Sequence, residues 1–440
     1  MKTLPKNTQS KESILQMMDD ARHQDAKWKD GRTFSLVYYA GEEISNLVKE
    51  AYMKFFHENG LNPMAFPSLQ KFETEVLSMT ANLFHGDKNT VGSLTSGGTE
   101  SILMAVKTYR DYARKVRPEV TEPEIILPIS VHAAFEKAAH YFNVKPIHIP
   151  LTDEYRVDTN AVRQAINENT ILIIGSAPAY PQGIMDPIQE LSNIALEHNL
   201  PLHVDACLGG FILPFLKELG YPIPPFDFEL PGVTSISADI HKYGYAAKGV
   251  STILYRTDEL RKHQYFAYAD WPGGIFVSPT ATGTRPGGAI AAAWAVMNYL
   301  GLEGYVKLAK KSISTTHKII EGIRAIPELY ILGNPEATVF SVGSDEVNVF
   351  SVADEMEQLG WHMDRQQNPT CLHFMITPAH EAVTDQFIKD LETSVRDVKE
   401  NPEKYQSGSA AMYGMMGEIP DRSEVDQYLI HMLNDLMRLK

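Results

Sequence analysis

Five short apolar runs between residues 124 and 255 constrain the fold of this chain most. They are EIILPIS (124–130), TILIIGS (170–176), LHVDA (202–206), VTSIS (233–237) and VSTILY (250–255). Each is short and continuous, which suits a strand buried on both faces. Between several of them lie helical patterns, such as PIQELSNIALEHN (187–199) with Pro in its first turn. Strands alternating with helices predict an α/β domain on a largely parallel sheet. Upstream, Phe72, Val76, Met79 and Leu83 recur at helical spacing within Gln70–Phe84, and helical periodicity resumes near Gly288–Leu300. From about residue 310 a long helical stretch leads to two strand-like runs, TVFSVGS and CLHFMIT, and a helix from Ala379, which predicts a smaller C-terminal α+β domain. The expected division is an N-terminal segment 1–60, a large domain 61–308 and a small domain 309–440. The first segment is polar and helix-prone around an insert, GRTFSLVYYAGEE, and the last ends in a Gly- and Met-rich turn, SGSAAMYGMMGEIP, before a final helix.

A chain of 440 residues, 44% of them hydrophobic, can bury a core of this size. Its 40 basic and 55 acidic residues give a net charge of −15, which repels nucleic acid and anionic membrane in bulk. An anionic substrate would need a local cluster of cations. Cys207 and Cys371 form no CxxC or zinc-ligand spacing, and no HExxH occurs, so neither a disulfide framework nor a metal site is expected. The N-terminus lacks the apolar centre of a secretory signal, and no apolar run reaches the ~18 residues of a membrane helix, so a soluble cytoplasmic protein is expected.

Four elements can carry chemistry. SADIHKYGYAAKG (237–249) follows a strand and offers Lys242, with His241 beside it and Lys248 six residues on. A lysine that forms a Schiff base needs desolvation or a nearby cation to lower its pKa; a solvated loop lysine is the competing reading. Asp205 ends the apolar strand LHVDA, where a carboxylate needs a cationic partner such as a pyridinium nitrogen, or else caps a helix. TSGGTESILMA (95–105) can present backbone N–H groups to an anion at a helix start, or be an ordinary glycine turn. His132 directly follows EIILPIS and could stack on a flat ring, or be a satisfied loop histidine.

Individually weak, the four occur in the order found in pyridoxal-phosphate (PLP) proteins of the aspartate-aminotransferase type, fold type I. The runs VYYAGEE, AFPSLQKFETE, TSGGTESILMA, HAAFEKAA, HVDACLGGF, GVTSISADIHKYGYAAKG and SPTATGTRPGG resemble the sphingosine-1-phosphate lyase branch of the group II PLP-dependent decarboxylases. That resemblance spans roughly residues 30–300, with weaker similarity beyond and again at AAMYGM. It implies PLP as cofactor and Lys242 as the Schiff-base lysine. Asp205 would pair with the ring nitrogen and His132 would stack on the ring. Gly98, Thr99, His241 and Thr284 would contact the phosphate, Thr284 replacing a serine common in the family. Tyr38, Asn59 and Lys248 would line the substrate side, and Tyr180 and Tyr413 would stand near the reacting group. A homodimer sharing its sites between subunits is also implied. One departure is that NGLNPMAFP (59–67) carries Asn62 where the family typically has a histidine. Asparagine can hydrogen-bond but neither carries charge nor titrates.

The activity so implied is cleavage of phosphorylated sphingoid bases, sphingosine or sphinganine 1-phosphate, by a retro-aldol step into a long-chain aldehyde and phosphoethanolamine. Lys242, His241, Tyr180 and Tyr413 are the candidate proton carriers. An amino-acid α-decarboxylase on the same scaffold is the alternative, since both reactions use one electron sink. A non-catalytic PLP-binding protein is the third reading. Arg285 is a basic neighbour of Thr284 without an assigned role.

Overall fold

The computed structural model describes residues 2–405, 419 and 421–439. Its large sheet has seven strands: β1 (Val91–Thr95), β2 (Glu124–Pro128), β3 (Lys145–Ile149), β4 (Thr170–Ser176), β5 (Leu202–Asp205), β6 (Val233–Ala238) and β7 (Ser251–Tyr255). They lie in the order β1-β7-β6-β5-β4-β2-β3. The five apolar runs become β2, β4, β5, β6 and β7. β4 is buried along its whole length, as a central strand covered on both faces must be. β3, on the edge, is half exposed and reads KPIHI, so it lacks the apolar run that marks its neighbours.

The connections decide what lies where. Neighbours from β3 to β6 are parallel, whereas β7 runs antiparallel to both β6 and β1. A parallel pair needs a crossover, usually a helix; an antiparallel pair can be joined by a loop. Residues 239–250 between β6 and β7 contain no helix, so this segment stays at one edge of the sheet. It carries His241 and Lys242 and sits beside the C-terminal ends of β5 and β4, where α/β sheets hold ligands.

The helix Pro67–Leu83 begins on Pro67, whose missing N–H costs nothing at a first turn. It buries Val76 and packs Phe72, Met79 and Leu83 against the main core. The helical run Gly287–Arg324 bends at Gly301, which adopts φ 54°, and leads to a second sheet. Before it comes a short hairpin, β8 (Phe266–Tyr268) and β9 (Phe276–Ser278). The second sheet comprises β10 (Tyr330–Ile331), β11 (Val339–Gly343), β12 (Asp364–Gln366) and β13 (Cys371–Met375), in the order β10-β11-β13-β12 and antiparallel throughout. The helices Val349–Gln358 and Thr384–Glu400 cover it around an aromatic core.

The N-terminal insert threads into that core. Phe34 is fully buried against Phe374, Phe387, Trp361 and His380. Its N–H donates to His362 O (2.9 Å), and its carbonyl accepts from Met375 N–H (2.9 Å). Residues 35–38 are thereby carried from the small sheet to the edge of the large one. Among the described residues, no helix is long and apolar enough to cross a membrane.

Candidate active site

The C-terminal edge of the large sheet opens into a cavity. Lys242, Lys248, Asp205, His132, His241 and Tyr180 all line it, and Tyr38 and Asp364 close it from the N-terminal and small-sheet sides. It continues to the glycine turn at Gly97, Gly98 and Thr99.

Lys242 Nζ lies 2.9 Å from Asp239 Oδ2, on a carboxylate only 2% exposed. Burial by itself would depress the amine, but the Asp239 charge prevails and its pKa is raised. The expected lowering of the lysine pKa is therefore corrected. The cations His241 and Lys248, from which a lowering was expected, are outweighed by the anion three residues before Lys242. Beside it, His241 donates through Nδ1–H to Val250 O (2.7 Å), and burial lowers its pKa despite the nearby Asp239.

Asp205 ends β5 almost wholly buried. Its Oδ1 accepts from Cys207 N–H (3.0 Å) and Ser237 Oγ (3.1 Å). Behind it, His203 Nδ1 pairs with Ser235 Oγ at 2.8 Å, and burial holds its pKa down at about 4, so it is neutral. His132 is turned by its own backbone, Nδ1 accepting from Ala134 N–H at 3.1 Å. The helix Gly98–Val116 has no side-chain cap at Gly97, which leaves its first N–H groups available to an anion where Gly97, Gly98 and Thr99 line the cavity. A Cβ on Gly98 would come 2.7 Å from Asp239 Oδ2 and 3.0 Å from Cys207 Sγ, which explains the glycine. Glu100, absent from the sequence reading, ties this turn to the 282 loop. Its Oε2 accepts from Ser96 N–H (2.6 Å) and its Oε1 from Thr282 N–H (3.0 Å).

On the opposite wall, Lys248 Nζ donates to Leu36 O (3.1 Å) and stands 5.2 Å from the Tyr38 ring centre. Burial and the Lys242 cation lower its pKa to about 8. Tyr38 packs edge-on against Tyr243 at 4.9 Å.

Three candidates are not brought to this cavity. Asn62 and Thr284 are exposed, and Asn59 pairs with Pro286 through a backbone bridge on the same outer face. The Asn62 side chain accepts from Met64 and Ala65 N–H at 3.0 and 3.3 Å. Tyr413 lies outside the described residues. A separate group, His85, Asp227 and Glu229, has ligand-type atoms within 4.8 Å of one another, and His85 is too far in sequence from the other two for spacing to reveal it.

Residues 1–342 match the pyridoxal-dependent decarboxylase conserved domain. The chain is 45% identical over 430 residues to a sphingosine-1-phosphate lyase of Arabidopsis thaliana, covering 96% of this chain and 78% of that protein. The chain belongs to the sphingosine-1-phosphate lyase branch of the pyridoxal-dependent decarboxylase family. Sphingosine-1-phosphate lyase 1 of Rattus norvegicus is 42% identical over 97% of this chain and 75% of its own length. The solved sphingosine-1-phosphate lyase of Burkholderia pseudomallei K96243 superposes with a TM-score of 0.88 at 39% identity, covering 96% and 97% of the two chains. A glutamate decarboxylase of Lactobacillus brevis, at 18% identity and TM-score 0.79, shares the fold.

Pyridoxal phosphate is the cofactor of this family, and the cavity suits it. A buried carboxylate at a strand end, a lysine amine, an uncapped helix start and a flat imidazole face one space, and the bulk that a side chain would add at Gly98 is excluded.

Proposed function

We propose that this chain is a PLP-dependent carbon–carbon lyase. It cleaves phosphorylated sphingoid bases, sphingosine or sphinganine 1-phosphate, by a retro-aldol step into a long-chain aldehyde and phosphoethanolamine. The observation that carries the reading is a second lysine, Lys248, in the same cavity as Lys242 and over the Tyr38 ring. It supplies the local cation that a phosphorylated substrate requires of so acidic a chain.

Lys242 is the residue assigned to hold the cofactor covalently. Asp205 is assigned to the ring nitrogen, keeping it protonated, and His132 to the ring face. Gly98 and Thr99 at the helix start, with His241, are assigned to the phosphate. When bound, the cofactor draws off the electron pair left at the substrate's α-carbon. Lys248 is assigned to the substrate phosphate, with its ammonium held 5.2 Å from the Tyr38 ring centre. Tyr180 and Tyr413 are assigned to the proton of the substrate's 3-hydroxyl.

Asn59, Asn62 and Thr284 are assigned to the neighbouring site of a homodimer. Exposed Leu61, Met64, Ile275 and Val277 in the nearby segments support a covered face there. Cytoplasmic residence is proposed from the low cysteine usage.

The test is release of long-chain aldehyde from sphinganine 1-phosphate by the holoenzyme. Carbon dioxide from an amino acid, with no aldehyde, would replace this reading by the decarboxylase.

A further inference from the structure

Tyr180 follows β4 in the cavity wall, and its hydroxyl has a defined partner. The phenol O–H donates to Asp364 Oδ2 at 2.8 Å. Asp364 belongs to β12 of the small sheet. Its other oxygen accepts from Ser35 Oγ at 3.0 Å, and His362 Nε2 lies 3.6 Å from it. Burial alone would raise this carboxyl, but the neighbouring His362 and the hydrogen bonds from Tyr180 and Ser35 bring its pKa down to about 2. An ionised carboxylate only accepts, and a phenol has a single proton. With that proton committed to Asp364, the Tyr180 oxygen has only lone pairs left for the cavity. The ring plane is fixed too. His373 stacks on it with centroids 4.1 Å apart and 28° between planes, and is itself held by Nδ1–H donation to Pro181 O at 3.3 Å. Burial brings the His373 pKa to about 4, so the stacked ring is neutral and adds no charge beside the phenol.

We propose that Asp364 is a positioning residue for Tyr180, turning the phenol so that it meets the substrate as a hydrogen-bond acceptor rather than a donor. The inference rests on the lyase reading and deepens it. A substrate cleaved between Cα and Cβ carries a hydroxyl on Cβ, which has a proton to give to such an acceptor. An amino acid lacking that hydroxyl has nothing to offer there, so the orientation also selects the substrate class. Asp364 acts through Tyr180 and need not touch the reacting atoms. The residues of this contact come from three parts of the chain, Ser35 from the N-terminal insert, Tyr180 from the large sheet and Asp364 from the small one. The orientation is thus set by how the small sheet meets the large one.

A double-mutant cycle on the holoenzyme tests this, with Asp364→Asn, Tyr180→Phe and the pair, assayed for kcat and KM on sphinganine 1-phosphate. The substituted amide is close to the carboxylate in shape, but it can donate as well as accept, so the phenol is no longer forced to point away. The expected result is a kcat loss of about tenfold or more for Asp364→Asn with KM changed less than about twofold, and no further loss when Tyr180 is already Phe. An unchanged kcat, or losses that multiply in the pair, overturns the proposal. If Asp364→Asn fails to retain the visible absorption of bound cofactor, Ser35→Ala removes one donor from the same carboxylate. It should give a smaller kcat loss that vanishes in the Tyr180→Phe background, and a loss that persists there overturns the proposal. A wild-type enzyme releasing no aldehyde refutes the lyase reading and this role with it. An active wild type with a multiplicative cycle refutes the orientation alone.

Discussion

Asp239 Oδ2 and Lys242 Nζ form a buried ion pair, 2.9 Å apart, in the loop that turns the chain from β6 into β7. The pair keeps Lys242 an ammonium at neutral pH although burial pushes the other way. A lysine attacks a carbonyl only as the neutral amine. Capture of PLP by the apoprotein should therefore quicken as pH rises toward the lysine's pKa. Asp239→Asn should shift that dependence to lower pH, because the main influence opposing burial is removed and the more distant Asp205 remains. Stopped-flow absorbance of the lysine-bound cofactor reads this directly; an unmoved pH dependence would contradict it. Lys242→Ala should form no covalent adduct at any pH.

Lys248 is a cation below about 8 and neutral above it. If it holds the substrate phosphate, KM should rise as pH climbs through that value. The second ionisation of a phosphate monoester lies near ~6, so this alkaline limb belongs to the lysine. Lys248→Met should raise KM and flatten the limb. A limb that survives the substitution assigns it to another group.

Asp205 accepts from Cys207 N–H and Ser237 Oγ, bonds that an asparagine carbonyl can keep. Asp205→Asn should therefore fold and still bind PLP covalently through Lys242. With no carboxylate to stabilise a protonated ring nitrogen, kcat should fall by on the order of 10². Loss of covalent binding instead would make Asp205 a structural residue.

Asn62 spends its side-chain oxygen on Met64 and Ala65 N–H and offers no charge. Asn62→His should lower KM for the phosphorylated substrate by about tenfold at pH values where the imidazole is protonated, as one added charge-assisted hydrogen bond would. The gain should fade as pH rises past ~6.5. An unchanged KM at low pH would remove this position from the phosphate site.

Phe34 is buried among Trp361, Phe374 and Phe387, so Phe34→Ala empties a ring-sized space where the N-terminal insert meets the small sheet. The cost should be about 3–5 kcal/mol, measured by denaturant unfolding. A loss under about 1 kcal/mol would show that the insert is not part of that core.

Residue pattern alone specified the large sheet's central strands, because a strand buried on both faces must be a continuous apolar run, as TILIIGS is. It also determined the helix Pro67–Leu83, whose apolar face keeps a 3.6-residue period. Lys242, Asp205, His132 and the Gly97–Gly98 turn were legible because each directly follows or ends a strand, and strand ends share one edge of a parallel sheet. The edge strand β3 was not legible, since half exposure dilutes its apolar signal. Neither were Asp364 and His373. They reach the cavity from a separate sheet, and their partners Tyr180 and Pro181 stand more than 180 residues away in sequence. No local pattern records such a meeting. Only the packing of the N-terminal insert and the small sheet onto the large one decides that Asp364 receives the proton of Tyr180, whereas the balance between burial and the Asp239 anion at Lys242 is set by the fold of the loop between β6 and β7.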